Sequence, residues 1–390
     1  MREVSDEQRR ARLAVRHAIA VRVGSVEAAV RAMTCLHATE PPSVYLSAFA
    51  RAEVSRRDID RALYEDRSVA KQLAMRRTLF TFPCDLLPAV WGSASTRVAA
   101  QLSTRFAKEI EGAGIAKRGD AWMTRTCNAV LRSLSADGPG TTMELRQRLP
   151  ALDRRLEVNP GKLYGGVFPV APRLLGTLAA TGKIMRGSNT GDWRLSRNQW
   201  TLTEEWLGAP VTRESSHDGY TELVRRWLFT FGPGTEADLV WWLGSTKAAV
   251  RAALAELGAV EVALSEGVGH LLPDDLEDLP EPEPWAALLP VLDPTTMGWK
   301  QRGFYLDPDD VPFLFDSNGN GGTTAWWNGR VVGCWVQDDN GVVEVVLRQD
   351  VGRDASASLD AEAERLTGWF AGERVSSVYS SLQMKSARLP

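Results

Sequence analysis

One short pattern occurs twice in this chain and limits its fold more than any other feature. Gly138-Pro-Gly-Thr-Thr-Met-Glu-Leu-Arg-Gln-Arg-Leu149 returns 94 residues later as Gly232-Pro-Gly-Thr-Glu-Ala-Asp-Leu-Val-Trp-Trp-Leu243. Each Gly-Pro-Gly turn leads to a threonine, Thr141 or Thr142 in the first copy and Thr235 in the second, whose hydroxyl can cap a short amphipathic helix. A longer helix is expected before each copy, over 122–134 and 219–231. After each copy comes a helix that ends at a glycine and turns into a strand, in LLGTLAATGKIMRG and AVRAALAELGAVEVAL. A common turn would not bring matching flanks with it, so the repeat reads as a duplicated helix-turn-helix unit with a strand wing.

The first hundred residues fit a third unit of the same kind. Ser5 and Gln8 form a capping pair for a helix over 5–22, with Ala11, Val15, Ala18 and Ile19 on its apolar face and Arg9, Arg10, Arg12 and Arg16 around the rest. His17 in this basic helix reads as a surface residue. A second helix opens at Ser25 and runs to Leu36. It is broken at His37-Ala-Thr-Glu-Pro-Pro, where two prolines remove amide donors. Ser43 is expected to cap a third helix and Asp58 to start a fourth, and QLAMRRTLFTF at 72–82 reads as a strand or hairpin arm. Short helices followed by a strand pair are the order of a winged helix. Beyond an acidic, proline-rich linker, PDDLEDLPEPEPW at 273–285, the text turns β-rich, with Asn-Gly hairpin signals at 328–329 and 340–341 and a closing helix near 359–371.

Charge divides the chain unevenly. Residues 1–200 hold 32 Lys and Arg against 19 Asp and Glu, and residues 201–390 hold 14 against 30, although the whole carries only -3. A basic half points to a polyanionic partner. The hydrophobic fraction of 44% and charged fraction of 24% are those of a soluble globular protein. No apolar run is long enough for a membrane span, and the charged N-terminus lacks a signal core. Cys35, Cys84, Cys127 and Cys334 stand far apart, which suits a reducing cytoplasm and offers no zinc or disulfide pattern. Phosphate-loop, HExxH and GxSxG motifs are absent too, so no metal or cofactor is expected.

In its order of parts the chain resembles the AlkZ/YcaQ-like bacterial DNA glycosylases. The resemblance is carried by LHATEPPSVYLSAFAR at 36–51, MRRTLFTFP at 75–83, the two GPGT helices, PRLLGTLAATGKIMRG at 172–187, LLPVLDPTTMGWK at 288–300 and the WWNGRVVGCW hairpin. It implies an α+β fold of three tandem winged-helix units and a small C-terminal antiparallel β-barrel. The units would span 1–110, with the candidate catalytic loop and hairpin, then 111–212 and 213–284, with the barrel over 285–390. It also implies a cytoplasmic, monomeric enzyme acting on duplex DNA: a monofunctional glycosylase for bulky N7-alkylated purines, of a branch that often serves self-resistance to genotoxic natural products. The alternative is a non-catalytic winged-helix protein, a lesion sensor or a transcription regulator.

The family's catalytic loop usually reads Gln-x-Gln or Gln-x-Asp. Here His37 takes the place of the first glutamine and Thr39 that of the second polar residue, and Phe80 stands where relatives often have histidine. An N7-alkylated base already carries positive charge and leaves readily, so the protein has to position water at C1′ and help remove its proton. An imidazole of ordinary pKa could accept that proton, and the Thr39 hydroxyl could orient the water. Glu40 could orient His37 or face solvent. For DNA contact, the hairpin arginines Arg76 and Arg77 come first, followed by Lys162, Arg173, Lys183 and Arg186 around the second unit, and Lys300 and Arg302 near the expected barrel. The tryptophans, Trp241 among them, are expected in the core.

Overall fold

The computed structural model describes residues 1–158, 161 and 165–387. One topology occurs three times in it. A helix leads into a two-residue strand, helical segments follow, and two antiparallel strands close the unit with the short strand hydrogen-bonded to the last. The first copy runs through helix Val26–Ala32, strand Leu36–His37, helices Pro41–Arg51 and Arg56–Asp60, and strands Val69–Leu73 and Leu79–Pro83. The second has helix Gly119–Asp137, strand Gly140–Thr141, helices Thr142–Arg148 and Ala171–Ala180, and strands Ile184–Asn189 and Asn198–Leu202. The third has helix Ser216–Phe231, strand Gly234–Thr235, helices Glu236–Leu243 and Lys247–Glu256, and strands Val260–Leu264 and Gly267–Leu271.

Local chemistry explains the repeat. Thr141 and Thr235 each cap the following helix in a reciprocal box, with Glu144 and Asp238 returning a bond to the cap backbone. In the first copy the equivalent strand is Leu36–His37, and Pro41 and Pro42 open the next helix instead of interrupting the chain before Ser43. Proline suits that place, because the first helical amides have no partner to lose. The first helix, Asp6–Arg16, is shorter than expected and ends at His17.

The C-terminal region departs from expectation. Its strands Ala286–Leu289, Thr324–Trp327, Arg330–Gln337 and Val343–Leu347 pair in chain order, and among the described residues the two outer ones do not meet. The expected barrel is therefore an open antiparallel sheet. Four strands are too few to curl closed around packed side chains, and helix Arg353–Phe370 lies against the sheet instead. The Asn-Gly signals do mark turns, with positive φ at Asn328, Gly329 and Gly341.

One apolar core runs through the first unit, the third unit and the C-terminal sheet, including Leu36, Phe80, Trp227, Phe231, Trp299, Trp326 and Phe370. The second unit has its own core around Phe106, Leu134, Leu174 and Trp200. The segment at 273–285 is irregular but tied down, since Arg12 donates to the backbone carbonyls of Asp275 and Glu277 and Arg2 pairs with Asp278. No helix among the described residues is long and apolar enough to cross a membrane.

Candidate active site

His37 lies in the short strand of the first unit, opposite Phe80 on the closing strand, and the two rings sit 4.6 Å apart. Ala38 then donates its amide to Leu79 O at 2.9 Å. That bond brings the loop 38–40 abreast of the hairpin turn 74–78. Thr39 is exposed there. The His37 side chain is only 5% exposed, and its Nδ1 is buried without a hydrogen-bond partner. Burial, reinforced by the positive charge of Arg76, pushes its pKa down to about 3, and Asp293 opposes this only in part.

That value changes the chemistry open to His37. The imidazole is neutral at any ordinary pH, and a nitrogen this weakly basic is a poor acceptor for a full proton. It remains a hydrogen-bonding group that can fix a water, as a glutamine amide can. Glu40 does not orient it. The Glu40 carboxylate accepts Ser377 Oγ–H at 2.9 Å and Val378 N–H at 2.8 Å, and its pKa is raised by burial.

The hairpin turn itself is unusual. Arg76 and Arg77 both adopt left-handed backbone, at φ 53° and 60°. Such residues cost about 1 kcal/mol or more each outside glycine. Arg77 is exposed, whereas Arg76 folds back and places its guanidinium 4.2 Å from the Trp241 ring of the third unit. Arg302 lies over the same indole at 5.5 Å and over Phe315 at 4.4 Å. Burial and Arg302 lower the Arg76 pKa to about 10, so it stays charged at neutral pH. Trp241 is thus a partly exposed platform, not the core residue expected. No sequence signal distinguished it from its neighbour Trp242, which is buried.

The remaining basic residues divide. Lys183 and Lys300 are exposed. Arg186 stacks on Trp200 at 4.7 Å, and desolvation lowers its pKa to about 10. Arg173 pairs with Glu109, which takes most of its charge out of play for a phosphate. Lys162 lies outside the described residues. His17 is fully buried rather than on the surface. Its Nδ1 meets Thr295 Oγ1 at 2.9 Å and its Nε2 meets Thr230 O at 3.2 Å. Thr295 also accepts from Arg51, which holds Asp293 with two further bonds at 2.7 and 2.9 Å. This buried network joins the first helix, the first unit, the third unit and the C-terminal region behind the His37 loop.

A fold of three such units, with a polar pair in the loop of the first, defines a class. Over residues 30–369 the chain matches the family model for AlkZ-like DNA glycosylases, and it belongs to that family. Among solved structures it is similar to Streptomyces sahachiroi DNA glycosylase AlkZ, at 20% identity and a TM-score of 0.74 over 94% of this chain and 97% of that one. No curated protein matches the chain.

Proposed function

We propose that this DNA glycosylase is monofunctional and hydrolyses the N-glycosidic bond of bulky N7-alkylated purines in duplex DNA, in self-resistance to a genotoxic product. The three repeated units are read as winged helices that hold the duplex, and His37 and Thr39 as the pair that places water at C1′. The observation carrying this reading is where that pair sits. It spans the end of the short strand of the first unit and the residues just after it, beside the hairpin turn that carries Arg76, whose guanidinium shares the Trp241 ring with that of Arg302.

The water oxygen bonds to C1′ as the bond from C1′ to N9 breaks, and that electron pair neutralises the cationic alkylated base. The water proton passes to solvent. Neutral His37 accepts a hydrogen bond from the water, and the Thr39 hydroxyl fixes a second of its contacts. The C1′ carbon carries oxocarbenium character in the transition state, and a neutral imidazole adds no repelling charge to it. No lysine nucleophile is involved, so the product is an abasic site on an unbroken strand.

Duplexes carrying N7-methylguanine or a bulky N7 adduct, treated with alkali after incubation, test this directly. Abasic sites formed by the wild type and lost in His37→Ala support the reading. Tight binding to every adduct without abasic sites would assign the chain the sensor role instead.

A further inference from the structure

We propose that Arg76 and Arg302, gathered on the Trp241 indole, form the seat of a DNA phosphodiester on the damaged strand, and that this seat holds the strand against the His37 loop. The proposal rests on the reading of His37 and Thr39 as the reacting loop, and it gives Arg76 and Arg302 a positioning role. In it Arg76 does not enter a groove as the tip of a wing.

The first argument is charge bookkeeping. The three fully buried arginines among the described residues are matched: Arg9 holds Glu266, Arg12 holds Asp275, and Arg51 holds Asp293. Arg76 and Arg302 are half-buried, and unlike Arg186, which stacks alone on Trp200, they share one ring. Among the described residues neither Arg76 nor Arg302 has a carboxylate within ion-pair distance, and the Nε of each is buried without a hydrogen-bond partner. The carboxylate nearest in sequence to Trp241 is already committed. Asp238 accepts the Lys300 and Gln301 amides at 2.8 and 3.0 Å through one oxygen and Thr235 through the other. Two guanidiniums that repel each other and lack a counter-charge make a site for an anion that arrives from outside.

The second argument is construction. The seat takes one residue from the first unit, one from the third and one from the connection between the first two strands of the C-terminal sheet. Gly244 brings the first two together. At its φ of +60° a side chain would be strained, and a Cβ there would lie 3.0 Å from the Arg76 amide nitrogen. Arg76 rests against the indole and Arg302 against the indole and Phe315, and guanidiniums held over rings in this way keep donor edges for a forked partner. A phosphodiester fits that fork, and a DNA strand brings one beside each nucleotide. Ala38, bonded to Leu79 next to the same turn, sets the loop with Thr39 alongside.

Binding to a duplex with a single tetrahydrofuran abasic analogue, followed by fluorescence anisotropy, tests the seat without requiring turnover. Arg76→Gln and Arg302→Gln should each weaken binding about tenfold, and the double variant little more, because the two share one phosphate. Replacing phosphates around the analogue one at a time by neutral methylphosphonate should reveal one or two positions that cost the wild type about as much. Those positions should cost the variants almost nothing. Arg302→Lys, which keeps the charge and loses the fork, should fall between, and thermal melting of each variant checks that it is folded. Folded variants that bind like the wild type, or that lose as much as it does at every neutralised phosphate, overturn the seat. Arginine-dependent binding by a protein that releases no base from any N7 adduct would uphold the seat and refute the proposed substrate.

Discussion

His37 shows how far burial and a neighbour's charge can move one side chain from its ordinary chemistry. With its pKa lowered to about 3, it is neutral across the whole working range. Base release should therefore show no inflection near pH 6.5, and His37→Gln should keep most of the rate, while His37→Ala should lose about a hundredfold. A pH–rate profile of wild type and His37→Gln decides this, and an inflection near 6.5 that the glutamine variant lacks would contradict it. The same lowering has a stability consequence, shared by His17, whose pKa burial and Arg51 also push to about 3. Below pH 6.5 the unfolded chain takes up protons that the folded state refuses. Stability is therefore fully present above 6.5 and lost as pH falls from there toward 3. At pH 5.5 the loss is roughly 1.4 kcal/mol per histidine. Urea denaturation at pH 7.5 and 5.5 should show a smaller drop for His17→Gln than for wild type. The sequence located the imidazole by family pattern, but its lowered pKa depends on packing against Phe80 across the sheet and on the charge of Arg76 in the turn. Those contacts are tertiary. His17 was misread for the same reason, because the arginines outside its helix's apolar face read as solvated charge, yet they point at carboxylates and carbonyls of distant segments.

At the scale of elements, the strongest local signals carried through. Both Gly-Pro-Gly-Thr copies end in capping boxes and both Asn-Gly pairs lie in turns, because each needs only its own few residues. The first copy of the unit was legible only as an order of helices and strands, since its short strand carries Leu36–His37 where the others carry Gly-Thr. The barrel failed at the same scale. Turn signals mark where strands end but not how many there are, and the stretch between Met297 and Thr324, with its short helical turns over 308–314, supplies none long enough to close the sheet. Two substitutions test the junction between units. Gly244→Ala should cost about 1–2 kcal/mol by urea denaturation, from backbone strain and the lost approach of the Arg76 turn. Asp238→Ala should cost about 3 kcal/mol, because it leaves the partly buried Lys300 and Gln301 amides and the Thr235 cap without their acceptor. A loss below half of either figure would mean that the units do not lean on these contacts.

Across the whole molecule, the uneven charge has a structural use that composition did not reveal. Arginines of the basic half hold carboxylates of the acidic half: Arg9 with Glu266, Arg16 with Asp275, Arg22 with Glu362, Arg51 with Asp293 and Arg56 with Glu373. The excess is spent in good part on joining the two halves, and only a subset is left for DNA. The logarithm of binding affinity against that of salt concentration should accordingly give a slope of no more than about six released counterions, far short of the basic residues counted in the first half. A slope twice as steep would mean that these pairs open on DNA. Arg51→Leu alone should cost about 3–5 kcal/mol, since it strands the Asp293 carboxylate in the interior.

The central claim, that the loop carrying His37 and Thr39 places water at a damaged nucleotide, is tested most directly by single-turnover release of base from one duplex bearing a bulky N7-alkylguanine. Wild type should generate alkali-labile abasic sites at a pH-independent rate between 6 and 8, with His37→Ala and Thr39→Val slowed together and His37→Gln close to wild type. Equal rates in wild type and His37→Ala, on a duplex both bind equally well, would place the chemistry elsewhere.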